Sequence, residues 1–492
     1  MRTRRLLREL WSSLPGKAGL ILLGLLILTS LYVLATYPVD FGSRRWSNPT
    51  LWADNPKAAP PVWTNALSRR KRAEHRVRGF SEPSRTESSE RATELFFEME
   101  IDYREDEAPT FLSLSVSDVL FHTRPPILTA SLLRPDGTEV TLARHAFSAP
   151  RRSEEPPYRR HEDEPLRLVL GTDQRTVDEL AAIYAETYGV EVPRDAVRED
   201  VESALFGVPA GIDQDRAGST ADTSGAAFEP LPGRYVLRAA VLTAEAEDSV
   251  GAVKTVVGGA VFGVMGTDSL GRDLLEGLLF GLPVALLIGI ATSTVSTLLG
   301  MSLGLVSGYA GGKTDVAIQR AADIVANVPV LPLLIFLVFI GGSRLWLILL
   351  VLVAFSWPGL TIMVRTMVLQ LRSGQEVEAA RALGASGARV IYRHILPHVA
   401  SYILTQLVFF APSAILAEAG LSFLGLGDPS IPTWGQILEY GFRTGAVFLG
   451  YWWWVIPPGL FIVITAVTFM FLAQGLEPVV DPRLRGRRSW HF

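Results

Sequence analysis

The chain has 492 residues, enough for more than one domain, and 48% of them are hydrophobic. Its formal net charge of −4 provides no overall basic field, which argues against nucleic acid as a partner. Because the sequence contains no cysteine, disulfides, thiolate metal sites and cysteine nucleophiles are excluded. The composition favours a membrane protein with a large polar segment.

The first apolar segment, residues 18–37, follows a basic N-terminus, residues 1–17. It is uncharged and long enough for a spanning helix of about 20 residues. A cleavable signal peptide is the alternative, but its apolar part is only about 7–15 residues long and no clear A-x-A site follows here. We predict an uncleaved transmembrane helix with a cytoplasmic N-terminus, because positive charge stays inside.

Residues 38–260 are predicted to form an extracytoplasmic insert domain between the first and second spans. Alternating or β-branched apolar residues predict strands at 95–103, 110–120, 127–133, 140–147 and 234–242. Amphipathic patterns predict helices at 176–188 and 194–205. Residues 69–91 are predicted to be a flexible linker, and residues 148–164 and 214–227 mobile loops. The expected domain is β-rich (α+β), similar to a β-sandwich with a helical insert.

Three histidines are the candidate metal ligands of this domain: His122, His145 and His161. Their spacing matches no ligand pattern, so we interpret them as surface or structural residues and expect no metal site. No residue pattern in the domain identifies a substrate. We therefore interpret it as an interaction or packing module.

The second half of the chain, residues 261–475, is predicted to be the membrane core. In its polar entry, residues 265–273, Thr267 or Asp268 is expected to cap a short amphipathic helix at the outer membrane surface. Hydropathy predicts five further spans, at residues 282–307, 317–340, 345–368, 400–424 and 452–473. With the first span they make six.

The basic residues indicate one orientation of these spans. Lys313, Arg320, the basic residues of 372–393 and the basic tail, residues 476–492, fall on the inner side. Both termini are therefore expected in the cytoplasm of a multi-pass cell-membrane protein. Three consecutive tryptophans, residues 452–454, are expected to form an aromatic belt at the outer interface.

Prolines are predicted to interrupt four spans: Pro329, Pro332, Pro358, Pro412, Pro457 and Pro458. Three glycines four residues apart in the second span predict close helix packing: Gly300, Gly304 and Gly308. Ionisable groups are rare at membrane depth, and we interpret Arg365 as an interface anchor. Glu418, Ser422 and Pro329 stay open as translocation-path or packing residues.

A polar, cationic loop at residues 375–397 separates the fourth and fifth spans. Strong helix formers predict a first helix at 375–383, and Gly384 predicts its left-handed end. Ser386 is expected to cap a second helix, which Pro397 ends or kinks. A solvated loop without a partner is one interpretation. The other is a rigid helix pair that docks in the cleft of a soluble protein.

This loop resembles the EAA loop of ATP-binding-cassette importer permeases. The residues that carry the resemblance are Glu378, Ala379, Ala380, Arg381, Gly384, Ile395, Leu396 and Pro397. His394 stands where the pattern has isoleucine. The strings Gly266-Thr267-Asp268 and Glu418-Ala419-Gly420-Leu421-Ser422 are similar to stretches of the peptide, dipeptide and nickel branch, in the same order.

The resemblance implies a type I importer fold of six transmembrane helices whose cytoplasmic loop docks on an ATPase subunit. It also implies a second permease, two ABC ATPase subunits that bind ATP and Mg, and an extracytoplasmic substrate-binding protein. No cofactor is expected in this chain. Gly312-Lys313-Thr314 looks like the end of a phosphate loop, but that pattern needs glycine where Ser307 stands, so the chain is not expected to hydrolyse ATP.

Two other functions remain as alternatives. A transporter that works without ATP would need acidic ion-coupling groups at mid-membrane and often internal repeats, and neither is clear. A membrane-anchored receptor that uses the outer domain would need few spans and a cytoplasmic output domain. The sequence does not distinguish a dipeptide, a longer peptide, a nickel chelate or a sugar as cargo.

Overall fold

The computed structural model describes residues 10, 11, 13–89, 92–152, 154–210 and 228–480. It divides into a helical unit, Met1–Pro49 with Leu274–Phe492, and a β-rich unit, Thr50–Asp273. The basic residues before position 10, the loop predicted at 214–227 and positions 481–492 of the basic tail lie outside the described residues.

The helical unit begins with helix α1, Leu14–Thr36, which confirms the first predicted span helix. Ser13 caps its start by accepting a hydrogen bond from the N–H of Gly16 (3.1 Å). Gly19 allows close contact with the last helix of the chain, since a Cβ there would lie 2.8 Å from the backbone nitrogen of Leu472.

The β-rich unit contains two five-stranded sheets and a two-stranded ribbon. Its strands are β1 (Arg76–Phe80), β2 (Arg85–Ser89), β3 (Ala92–Tyr103), β4 (Phe111–Phe121), β5 (Ile127–Leu133), β6 (Glu139–Ala146), β7 (Tyr158–Arg160), β8 (Leu166–Leu170), β9 (Gly207–Pro209), β10 (Phe228–Pro230), β11 (Gly233–Thr243) and β12 (Ser249–Gly258). One sheet has the order β1-β12-β4, with β7 and β8 both paired to β4. The other has the order β2-β3-β11-β5-β6, and every pair is antiparallel.

The two sheets share one core, as in a β-sandwich. Phe97, Met99 and Ile101 of β3 alternate inwards, as do Leu112 and Leu114 of β4, and all belong to one buried cluster. The five predicted strands are present as β3, β4, β5, β6 and β11. The cluster also includes residues of a helical layer made of α2 (Gln174–Tyr188), α3 (Arg194–Glu199) and α4 (Val201–Leu205).

Three predictions for this unit are wrong. Residues 69–91 are not a linker, because β1 and β2 form sheet edges there, and edge strands can remain highly charged without hydrophobic alternation. Residues 148–164 are not entirely a loop, since they include β7. The predicted helix at 194–205 is broken at Asp200, whose side chain accepts from the N–H of Ser203 (3.2 Å) and so caps α4.

The polar entry at 265–273 also differs from its prediction. Asp268 caps a tight turn instead of a surface helix, because its Oδ1 accepts from the N–H groups of Leu270 (2.8 Å) and Arg272 (3.0 Å). Its Oδ2 pairs with the Arg272 guanidinium at 2.5 Å. Gly271 has a φ of +82°, which suits glycine, and the next helix begins only at Leu274.

The rest of the helical unit is a series of long apolar helices and shorter connecting ones. They are α5 (Leu274–Ala310), α6 (Gly312–Asn327), α7 (Val330–Gly341), α8 (Leu345–Arg372), α9 (Gln375–Ala382), α10 (Gly387–Val390), α11 (Leu396–Phe423), α12 (Trp434–Arg443) and α13 (Trp452–Val480). Among the described residues, five helices are long and apolar enough to cross a membrane, or six if α6 and α7 count as one broken span.

The third predicted span is where the structure departs most from a regular helix. Helices α6 and α7 are bent by 77° at a break that contains Pro329. Elsewhere proline does not interrupt the helix, since α8 continues through Pro358, α11 through Pro412 and α13 through Pro457 and Pro458. The prediction of interruption is therefore wrong at these four positions.

The predicted aromatic belt is also wrong for two of its three tryptophans. Trp454 is 1% and Trp453 7% exposed, and the Trp454 indole donates to the carbonyl of Ile437 in α12 (3.1 Å). Helix α12 was not predicted, because hydropathy scanning finds spans and overlooks short amphipathic helices. A buried tryptophan needs a partner for its N–H, and α12 supplies it.

The glycine stripe of α5 packs against α8, as predicted. A Cβ at Gly300 would lie 2.9 Å from Leu360 Cβ, and one at Gly304 would lie 2.7 Å from Val364 Cβ. Real Cβ atoms do not approach this closely, so the two helix backbones meet where only glycine fits.

Candidate functional site

The cationic loop between α8 and α11 is two helices joined by a left-handed glycine. Gly384, with a φ of +81°, confirms the predicted end of the first helix. Its N–H donates to the carbonyl of Arg381 (2.9 Å), and the N–H of Ala385 donates to that of Ala380 (3.0 Å), the pattern of a Schellman motif. Ser386 caps the second helix through its hydroxyl, also as predicted.

The second helix does not end at Pro397. Helix α10 passes through a π-helical turn, Ile391–Ile395, directly into α11, so that one apolar helix runs over Gly387–Phe423. A proline ring in a regular α-helix collides with the carbonyl four residues earlier. The wider π turn immediately before Pro397 makes room for the ring, so of the two predicted alternatives, an end or a kink, the helix end is excluded.

Four apolar side chains attach the loop to the spans: Val377, Ala380, Val390 and Ile395. They share a buried cluster with residues of α5, α8 and α11, including Leu305, Val364 and Val399. Burying one such aliphatic side chain is worth about 1.5–3 kcal/mol. The loop is therefore fixed to three span helices, and the motif residues Ala380 and Ile395 anchor it.

Four of the remaining motif residues form an outward face. Glu378, Ala379, Arg381 and Gly384 are exposed, and Leu383 between them is 89% exposed. A single exposed leucine is ordinary, but here it adds an apolar centre to a polar face, as docking surfaces have. Leu383 was not predicted as a docking residue, although its place directly before the helix-ending glycine was an available signal.

At the base of the loop, Leu396 is half-buried and Pro397 exposed. His394, which departs from the family pattern, links the two halves of the loop. Its Nδ1 lies 2.8 Å from Oε1 of Glu376 in α9, and Nε2 of His398 lies 3.3 Å from Oε2. These hydrogen bonds hold the pKa of Glu376 below its usual range.

Arg365 has a partner that the sequence did not reveal. Its Nε and a terminal nitrogen each lie 2.6 Å from the carboxylate oxygens of Asp315, a bidentate pair between α8 and α6. The Ser307 hydroxyl donates to the same carboxylate (2.5 Å). Arg365 therefore joins α8 to α6.

The string around Lys313 opens α6 and follows no strand, so it lacks the context of a phosphate loop.

The three residues left open between path and packing do not form one site. Glu418 and Ser422 lie one turn apart in α11, both buried, and the Ser422 hydroxyl donates to the Glu418 carboxylate (2.6 Å). The backbone of α12 packs on them, since a Cβ at Gly435 would lie 2.8 Å from Ser422 Cβ. Pro329 caps α7, a different element.

In the β-rich unit, His122 belongs to a carboxylate-capped turn. Its backbone N–H (2.9 Å) and Nδ1 (3.0 Å) both contact Oδ1 of Asp248, whose Oδ2 accepts from the N–H groups of Ala244 and Glu245. The hydrogen bond that His122 donates to the Asp248 carboxylate raises the pKa of His122. His122, Glu245 and Asp248 are close enough to hold a metal, but the Asp248 oxygens are already used by the turn.

The family model described as binding-protein-dependent transport system inner membrane component matches residues 300–486, which include the whole loop. The dipeptide transport system permease protein DppC of Bacillus subtilis is 34% identical over 221 residues, which cover 45% of this chain and 68% of DppC. This chain belongs to that permease family.

Two further relatives agree. The oligopeptide transport system permease protein OppC of Bacillus subtilis is 35% identical and covered to 72%, and OppC of Haemophilus influenzae is 36% identical and covered to 70%, each over 45% of this chain. A solved structure of the MetNI methionine ABC transporter is 18% identical, with a TM-score of 0.36, over 42% of this permease and 98% of that chain. The resemblance drawn from the loop, to importer permeases of the peptide branch, is confirmed.

Proposed function

We propose that this permease is one transmembrane subunit of an ATP-driven importer and that it lines the path for peptides together with a second permease subunit. The loop carries the proposal, because it is fixed to three span helices and exposes the motif residues Glu378, Ala379, Arg381 and Gly384. Relatives named as dipeptide and oligopeptide permeases support peptides as the cargo class. Two separate ATPase subunits bind ATP and Mg and receive the loop.

The mechanism is differential stabilisation of two states of the spans. ATP brings the two ATPase subunits together, and the docked loop moves with one of them. Because Val377 and Ile395 are buried against α5, α8 and α11, movement of the loop moves these helices. Access to the path then changes from one side of the membrane to the other.

The loop lies in the cytoplasm, and the β-rich unit lies on the opposite side, where it assists docking of a substrate-binding protein. The basic residues of the loop support this orientation, because cytoplasmic loops are enriched in arginine and lysine. The absence of cysteine makes single-cysteine labelling a clean test. Ala379→Cys should react with an impermeant thiol reagent only from the cytoplasm, and Val77→Cys of β1 only from outside.

The decisive experiment tests docking itself. In the assembled transporter, Ala379→Cys should cross-link to the ATPase subunit, and Leu383→Asp should reduce ATP-dependent peptide uptake at least about tenfold, since a buried charge at a docking centre costs more than 1.4 kcal/mol. Val77→Asp is the matched control, because Val77 is also exposed (48%) and should leave uptake unchanged. Normal uptake by correctly inserted Leu383→Asp would refute docking through this face.

A further inference from the structure

A groove of about 360 Å³ lies where the end of α1 meets the first half of α5. Val33, Leu34 and Tyr37 form one wall, and Phe280, Val284 and Leu287 form the other. The volume falls within the range of roughly 300–1,000 Å³ that ligand pockets have. The lining is largely apolar, which suits a hydrocarbon chain.

The groove is built from membrane helices, so lipid is the medium next to it. Helices α1 and α5 both have the length and hydropathy of membrane spans. Leu34 is 60% and Leu287 59% exposed, and such apolar surface on a span contacts acyl chains in a bilayer. An acyl chain therefore reaches this groove without leaving the hydrocarbon.

The rim of the groove is polar and carries the Asp40 carboxylate, to which Arg44 is paired. Asp40 lines the groove just beyond the end of α1, and its Oδ2 lies 2.5 Å from Nε of Arg44. The Arg44 side chain is 82% and the Asp40 side chain 42% exposed, so both groups remain accessible. The neighbouring Arg45 is paired with Glu276 (2.7 Å).

We propose that this groove binds a phospholipid with a primary-amine headgroup, of the phosphatidylethanolamine class, with one acyl chain between α1 and α5. Arg44 binds the phosphate, because a guanidinium donates two parallel hydrogen bonds to such a group. Asp40 accepts from the ammonium. A choline headgroup has the same charges but no N–H to donate, so the pair at the rim discriminates between them.

Native mass spectrometry of the full-length permease tests this inference. The protein is released from nanodiscs that contain equal amounts of phosphatidylethanolamine and phosphatidylcholine with identical acyl chains. We expect one retained ethanolamine lipid per chain, at a preference of roughly tenfold over choline lipid, the effect of one charge-assisted hydrogen bond. Asp40→Asn should reduce the preference, because a neutral amide oxygen is a weaker acceptor for the ammonium than a carboxylate, and Arg44→Gln should reduce retention of both lipids.

Two tryptophan variants separate the groove from the general lipid surface. Val284→Trp fills the groove and should eliminate the retained lipid, whereas Leu298→Trp lies on the same helix at an exposed position (54%) away from the lining and should not. Thermal unfolding of both variants shows whether either has lost its fold, in which case Asp40→Asn decides alone.

Three results would overturn the inference: no lipid retained above the background of Val284→Trp, an unchanged preference in Asp40→Asn, or equal retention of the two headgroups by the unmodified chain. A cross-link from Leu34→Cys to the second permease in the assembled transporter would show instead that the groove is a protein interface. None of these outcomes depends on docking of an ATPase, so the two proposals can fail separately.

Discussion

At the scale of single residues, buried or half-buried carboxylates have two roles. Some connect segments that are distant in the sequence, and others stabilise a tight turn. Asp248 holds the turn before β12 to the end of β4, Asp268 closes the turn before α5, and Asp315 joins α6 to α8. Each accepts at least two hydrogen bonds. Removing one of them leaves donors without partners, which costs about 1–3 kcal/mol for each buried group.

The titration of His122 is expected to make the stability of the β-rich unit depend on pH. Because Asp248 raises its pKa, protonated His122 stabilises the fold fully below the unfolded pKa of about 6.5, and this contribution is lost as pH rises through the higher folded pKa. His122→Gln should remove this loss of stability on the alkaline side of about pH 6.5. Hydrogen exchange of β4 in the full-length chain measures it.

His145→Gln is the control for that experiment. Burial lowers the pKa of His145, so its titration in the folded chain lies below that of a free histidine and any stability change occurs on the acid side. Exchange of β4 above pH about 6.5 should therefore be unaffected by His145→Gln. An unchanged pH profile in His122→Gln would show that the His122–Asp248 pair does not contribute to stability.

At the scale of elements, the membrane helices meet through glycine and remain continuous through proline. The α5–α8 contact depends on glycines that leave no room for a side chain, while α8 and α11 continue past internal prolines. Helices α6 and α7 differ from these continuous helices, because they are bent by 77° where the chain breaks at Pro329, and the first of the two is polar. Movement of the spans is therefore expected at this break.

Gly304 is the position where the α5–α8 contact can be tested. Gly304→Ala places a methyl group 2.7 Å from Val364 Cβ and 2.8 Å from the carbonyl of Thr361, so it should destabilise the helical unit by about 1–3 kcal/mol. Gly359→Ala on α8 is the control, because nothing lies within 4 Å of its added Cβ.

Gly359→Ala should be neutral or stabilise by up to about 1 kcal/mol, since alanine favours helix over glycine. Unfolding of both variants in detergent, followed by tryptophan fluorescence, gives the comparison. If Gly304→Ala were as stable as Gly359→Ala, the two helices would not be held at the separation that the glycines indicate.

At the scale of the whole molecule, each of the two units has a hydrophobic core of its own. One buried cluster lies entirely in the β-rich unit, and the cluster beneath the loop lies entirely in the helical unit. Each unit therefore has the burial that stabilises a domain by itself.

Replacing Thr50–Asp273 with a Gly/Ser linker of about ten residues should lower peptide uptake while α1 and α5–α13 remain inserted. Protease mapping and detergent unfolding measure insertion and stability. Deletion of α12 should instead destabilise the helical unit. Trp434 and Ile437 of α12 are buried in that unit, and the indole of Trp454 donates a hydrogen bond to α12. Loss of the inserted spans in the linker variant would mean that the β-rich unit is needed to fold the core.

Of the candidate site, the sequence predicted the two loop helices, the left-handed Gly384 and the Ser386 cap, because each depends on neighbours within a few residues. It did not predict the partners of Arg365 and His394, or which motif residues are buried. Those depend on contacts between segments far apart in the chain, and no local pattern encodes them.

The sequence by itself determined the apolar spans, five of the ten strands described in the two sheets and the family motif, since hydropathy and periodicity are local properties that follow from burial in lipid or in a sheet. Only the tertiary structure decided that residues 76–80 and 85–89 form edge strands, that Trp453 and Trp454 are buried and that α11 continues through Pro397. In each case another segment supplies the missing hydrogen bond, contact or space, and that segment is brought there by the fold.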